Sequence, residues 1–157
     1  MNPIDAIAAR PLEDLLPHRA PMILLSRALG MRGEDFACAV DITPQSPFFD
    51  GRGVPAWVGL EYMAQTVAAL AGCEGAQAGR GARPGLLLGS RDFAASAERF
   101  EPGATLTVLA RKVLRQDGGV SAVECRIVDA GGAELVRAQL TVIEMQDMAA
   151  LDRLGRP

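Results

Sequence analysis

The stretch PFFDGRGVPAWVGLEYMAQTVAALAG, Pro47 to Gly72, decides how this chain is read. It opens as a loop rich in Pro and Gly and runs into a segment with helical spacing. Trp57, Leu60, Ala64, Val67 and Ala71 share one face. Val58, Tyr62, Ala69 and Leu70 make most of the remaining surface apolar as well. A helix that is apolar all round is a buried helix. The spacing predicts a helix over 56–73, with the glycines from Gly72 to Gly85 marking its end and a flexible connection.

Strands are expected on both sides of that helix. PLEDLL (11–16) reads as one helical turn opened by Pro. MILLSRALGM (22–31) reads as a strand. GEDFACAVDIT (33–43) alternates at Phe36, Cys38, Val40 and Ile42, so one face is buried. A turn near Arg32 and Gly33 joins the two as a hairpin. After the helix come 85–95, 104–115, 119–130 and 133–145, with turn residues at Pro102–Gly103, Asp117–Gly119 and Gly131–Gly132. The last 12 residues, 146–157, form a polar tail. The expected architecture is α+β: one antiparallel sheet wrapped around one long central helix, a single domain over 1–157 with its core at about 10–145. Open sheet edges need partners, so a dimer is expected.

Composition narrows the function. The chain has 157 residues, 49% of them apolar and only 4% aromatic, so aliphatic side chains must fill the core. A formal net charge of -3 with scattered Arg makes a poor nucleic-acid binder. Cys38, Cys73 and Cys125 are far apart and form no CxxC or Cys/His pair, so no metal site is expected and reduced thiols are. No phosphate loop or dinucleotide fingerprint is present, so no cofactor is expected. No basic stretch precedes an apolar run at the start, and no apolar run reaches the ~20 residues that span a bilayer. A cytoplasmic protein without membrane association is the expectation.

Glu61 is the exception in the apolar helix, and Gln65 lies four residues on, on the same face. An unpaired buried carboxylate is costly unless its pKa rises, and a carboxyl so tuned serves as a general acid or base. The amides of Ala56 and Trp57, after Pro55, are expected at the open helix start, where a thioester carbonyl would be polarised. The alternative is a Glu61 that is partly exposed or pairs with an Arg across an interface.

These pieces together resemble a known family. LLPHRAPMILLSRAL (15–29), PFF with VPAWVGLEYMAQ (54–65), GLLLGSRDFAA (85–95) and EPGATLTVLARKV (101–113) are similar to segments of the bacterial 3-hydroxyacyl-ACP dehydratases with the hot-dog fold. Within that family the chain resembles the divergent branch of aryl-polyene clusters. The resemblance spans roughly 10–143. It implies dehydration of a carrier-bound 3-hydroxyacyl thioester to a trans-2-enoyl thioester, with acyl carrier protein bearing acyl-phosphopantetheine as partner. It also implies Glu61 as the acid, the Ala56 amide as carbonyl donor, and an acyl tunnel near Pro17, Trp57 and Gln65.

The family's catalytic His, in a Gly-His-Phe-Pro loop, has no counterpart here, where the loop reads DGRGVP (50–55). His18 is the one His in the chain. Either it supplies the base, paired with Glu61, or it only packs the Pro-His-Arg turn. Asp50 and Arg52, in the altered loop, are further candidates. Arg80, Arg83, Arg91, Arg99, Arg111 and Lys112 are candidates to receive an acidic carrier protein. Two other functions stay open: a non-catalytic or half-site subunit of a heteromeric dehydratase, and an acyl thioesterase in which Glu61 activates water. A homodimer or higher homo-oligomer, or a heteromer with a related dehydratase, is the expected assembly.

Overall fold

The computed structural model describes residues 2–81, 85–115 and 119–144. A short helix, α1 (Pro3–Ala8), is capped by the Asn2 side chain, which accepts from the Ile4 amide. The turn α2 (Leu12–Leu15) follows. Strands β1 (Arg27–Arg32) and β2 (Asp35–Asp41) form the expected hairpin, with Arg32 opposite Asp35. The loop after β2 ends in β3 (Val54–Pro55), a 3-10 turn over Ala56–Val58, and the long helix α3 (Gly59–Gln77). Five strands follow: β4 (Gly85–Ala95), β5 (Arg99–Phe100), β6 (Thr105–Arg115), β7 (Val120–Val128) and β8 (Glu134–Glu144).

Six strands build one antiparallel sheet in the order β1-β2-β6-β7-β8-β4. Helix α3 packs on β6, β2, β7 and β8. The inward rows are apolar: Phe36, Cys38 and Val40 on β2, Leu106, Val108 and Ala110 on β6, Val123, Cys125 and Ile127 on β7. They enclose Tyr62, Met63, Val67, Ala69, Leu70 and Cys73 of the helix. This is the expected α+β arrangement.

Four points of that expectation need correction. The strand expected over 22–31 begins only at Arg27. The Met22–Leu24 segment crosses α3 instead, and there the Gln65 amide satisfies its backbone in place of a neighbouring strand. The short pairing of β3 with β5, at Val54–Phe100 and Pro55–Arg99, was not legible in a loop this rich in Pro and Gly. The helix is not buried all round: Glu61, Ala64, Ala68 and Ala71 form a half-buried stripe. Gly72 does not end the helix, which runs through to Gln77. A side chain at Gly72 would run into the Leu15 carbonyl oxygen, so this Gly lets α2 seat directly on α3. The expected tail over 146–157 and the Asp117–Gly118 turn residues lie outside the described residues.

Candidate active site

The half-buried stripe of α3 is one wall of an elongated groove between helix and sheet. Pro17, His18 and Glu61 stand at one end. Ala64, Val67, Ala68 and Ala71 form the helix wall, and Leu86, Leu87, Val142 and Ile143 form the sheet wall. Lys112, Ser121 and Glu144 lie on the same lining. The cavity volume is ≈ 170 Å³, on the order of ten times what a single water needs.

His18 reaches this groove because its turn is pinned. The Arg19 guanidinium donates to the carbonyls of Glu13, Leu16 and His18, at 3.2, 3.0 and 2.7 Å. The His18 Nε2 lies 4.0 Å from Glu61 Oε1. Its Nδ1 is buried with no hydrogen-bond partner among the described residues. Glu61 Oε1 also accepts from Gln65 Nε2 at 3.1 Å, an i to i+4 contact along the helix. The Glu61 side chain is 44% exposed, so the expectation of a carboxylate buried within one chain does not hold. Alternating three- and four-residue steps place it on the groove stripe rather than the core stripe.

Gln65 belongs to a different place from the expected tunnel. It is fully buried and accepts from the Leu24 amide at 2.9 Å. Its Nε2 donates to the Met22 carbonyl at 2.8 Å as well as to Glu61. It therefore ties the Met22–Leu24 segment to the helix and holds the carboxylate from behind. Pro17 lines the groove as expected.

The helix start also differs. The Ala56 amide donates to the Glu98 carbonyl at 2.9 Å, continuing the β3–β5 pairing. It is not a free carbonyl donor. Trp57 does not line the groove; it is 63% exposed and packs edge-on against Phe48, with ring centroids 5.9 Å apart. Phe48 itself holds φ at 67°, an unusual backbone for a non-Gly residue.

The altered loop is committed to its own structure. Asp50 Oδ1 accepts from the amides of Arg52 and Gly53, and Oδ2 accepts from Arg99 Nε at 2.6 Å. The Arg99 guanidinium and these amides hold the Asp50 carboxyl below the usual carboxylate range. Such a carboxylate is a weak base. Arg52 is exposed and does not line the groove. Arg111 is engaged with Asp35 and Glu34, and Arg83 lies outside the described residues. Among the described residues no cluster of His, Cys, Asp or Glu could hold a metal ion, and no helix is long and apolar enough to cross a membrane.

The family model described as ApeP dehydratase, of the ApeP-like family, matches residues 10–153. The chain belongs to the ApeP-like dehydratases. A solved structure of the dehydratase heterocomplex ApeI:P from Xenorhabdus doucetiae is 25% identical, with a TM-score of 0.83, over 94% of this chain and 99% of that one. A hypothetical thioesterase with coenzyme A from Streptococcus pneumoniae is 13% identical, with a TM-score of 0.59, over 76% of this chain and 84% of that one. The PaaI protein of the E. coli phenylacetic acid degradation operon is 11% identical, with a TM-score of 0.57, over 75% and 78%. At those identities the last two speak for the shared hot-dog fold alone. No curated protein matches the chain.

The residues that the sequence reading missed are the groove's alanines and its far end. Their signal is present: Glu61, Ala64, Ala68, Ala71 and Glu74 step at 3, 4, 3 and 3 residues, a small-residue stripe between two carboxylates.

Proposed function

We propose that this ApeP-like chain takes part in dehydrating carrier-protein-bound 3-hydroxyacyl thioesters to trans-2-enoyl thioesters, with His18 and Glu61 as its acid–base pair. The observation that carries this reading is their meeting, 4.0 Å apart, at the end of an apolar groove that can hold an acyl chain.

In this reading the neutral His18 Nε2 takes the proton from C2. The electron pair left on C2 forms the C2–C3 double bond as the C3–O bond breaks. Glu61, in its carboxylic acid form, gives its proton to the leaving hydroxyl, which departs as water. Passage of the proton from His18 back to Glu61 restores both groups across a short gap. Gln65 donates to Oε1 and leaves Oε2 for the substrate hydroxyl.

Two observations favour work in company with a related dehydratase chain. A relative that aligns over 94% of this chain belongs to a dehydratase heterocomplex. Among the described residues strand β4 pairs only with β8; it is exposed over all but one of its residues and carries exposed Leu87, Leu88 and Phe93. An exposed apolar edge strand is a ready site for pairing with another chain.

The test is enoyl-thioester formation from a carrier-bound 3-hydroxyacyl substrate, by the chain alone and with a related dehydratase chain added. Glu61→Gln and His18→Ala are each expected to slow turnover about a hundredfold. Turnover untouched by both substitutions would exclude this pair.

A further inference from the structure

His18 is aimed without help from its own ring. Its Nδ1 is buried with no hydrogen-bond partner among the described residues. Its Nε2 stands 4.0 Å from Glu61 Oε1, beyond hydrogen-bond length. A working histidine is ordinarily oriented by the hydrogen bond that its second nitrogen makes. Here the backbone does the aiming, so whatever fixes the turn that carries His18 also fixes the pair.

That turn hangs between two anchors. Upstream, Leu15 and Leu16 are fully buried, and α2 seats on α3 at Gly72. Downstream, Gln65 holds the Met22 carbonyl and the Leu24 amide. Residues 17–21, between the anchors, belong to no helix or strand. Pro17 and Pro21 have no N–H to donate. The Met22 amide donates to the Arg19 carbonyl at 2.8 Å. The Arg19 guanidinium then closes the turn: its Nη1 donates to the carbonyls of Glu13, Leu16 and His18 at 3.2, 3.0 and 2.7 Å. The Glu13 carbonyl belongs to α2, too short a helix to give it a partner within the chain of helical bonds. One nitrogen thus joins α2, the residue before Pro17 and the His18 peptide, and the shortest contact is the one to His18.

We propose that Arg19 is the positioning residue of the acid–base pair: it holds the His18 backbone so that the imidazole faces Glu61. This rests on His18 and Glu61 being that pair. Arg19 is exposed and does not line the groove, so its loss removes neither a core contact nor a contact with an acyl chain. What its loss frees is the turn between the two anchors. A base misplaced by about 1 Å costs on the order of a hundredfold in rate.

The experiment uses the chain's one imidazole as its probe. Heteronuclear NMR of the full chain reads the ring nitrogens of His18. Glu61→Gln is expected to move those signals in the unsubstituted chain and to leave them in place when Arg19→Ala is also present. In the enoyl-thioester assay, with a related dehydratase chain added, Arg19→Ala is expected to lower kcat about tenfold to a hundredfold and to leave KM within about twofold. Arg19→Lys, whose ammonium offers three donors, is the second variant, with kcat expected between the two. In a His18→Ala background Arg19→Ala is expected to cost nothing more, because it acts through the residue already removed. An unchanged kcat in Arg19→Ala, a full further loss on top of His18→Ala, or ring signals that answer Glu61→Gln equally with and without Arg19 each overturns the proposal while the pair stands. Turnover untouched by His18→Ala overturns the acid–base reading, and this proposal with it.

Discussion

Replacing Gln65 by Leu tests whether one buried amide joins the fold to the site. The two side chains are similar in size, so the change removes hydrogen bonds rather than volume. Gln65 makes three: from the Leu24 amide, to the Met22 carbonyl and to Glu61. The Leu24 amide is buried, and leaving it unpaired costs about 1–3 kcal/mol. The Met22 carbonyl is only partly buried and costs less. Burying an apolar side chain in place of an amide recovers part of this, leaving a net loss of about 2 kcal/mol. In a chain of this size that lowers Tm by roughly 4–8 °C, measured by calorimetry or circular dichroism. Glu61, released from its anchor, is expected to lose about tenfold to a hundredfold in turnover. Glu61→Gln is the contrast: it keeps Gln65's backbone bonds, and its half-exposed position predicts a Tm within about 1 °C of the unsubstituted chain. A Gln65→Leu variant with unchanged Tm would refute the claim that this side chain holds the 22–24 segment on the helix.

Three further outcomes follow from the packing. Gly72→Ala puts a methyl group into the Leu15 carbonyl oxygen, so α2 must move; a loss of about 1–3 kcal/mol is expected in urea unfolding, and none would mean α2 is not seated on α3. Arg99 holds the Asp50 carboxyl low, so its stabilisation is full above the unfolded-state value of ~3.9 and is lost as pH falls through the lower folded value. The Tm difference between Asp50→Asn and the unsubstituted chain should therefore shrink as pH falls from about 5 to about 2, and a constant difference would contradict the pair. Burial pushes the thiols of Cys38 and Cys125 up to about 12 and that of Cys73 to about 11. Iodoacetamide at pH 8 should label none of the three quickly in the native chain and all three in denaturant; fast native labelling of any would refute this.

Much of the fold was legible because its signals are local. Period-two alternation gave β2 and the last three strands to within about two residues, and Pro and Gly marked their turns. The apolar segment after Pro55 gave the central helix. The ends of elements were less legible. Met22–Leu24 has strand-like residues, but a side chain 41 positions from Leu24 takes up its backbone, and no local pattern shows that. The α3 helix continues past Gly72 because a neighbouring turn, not a helix end, requires that Gly.

At the site, sequence alone determined which groups were available: one His, a carboxylate near the start of the central helix, and an amide four residues from it. Tertiary structure decided what each can do. It brought His18 and Glu61 together across 43 positions, set Gln65 behind the carboxylate rather than in the groove, and occupied the Ala56 amide with the Glu98 carbonyl. The physical reason is the same in each case. Residue type fixes the chemistry a side chain can perform, whereas burial, hydrogen-bond partners and distance depend on which strands and helices the folded chain brings alongside it.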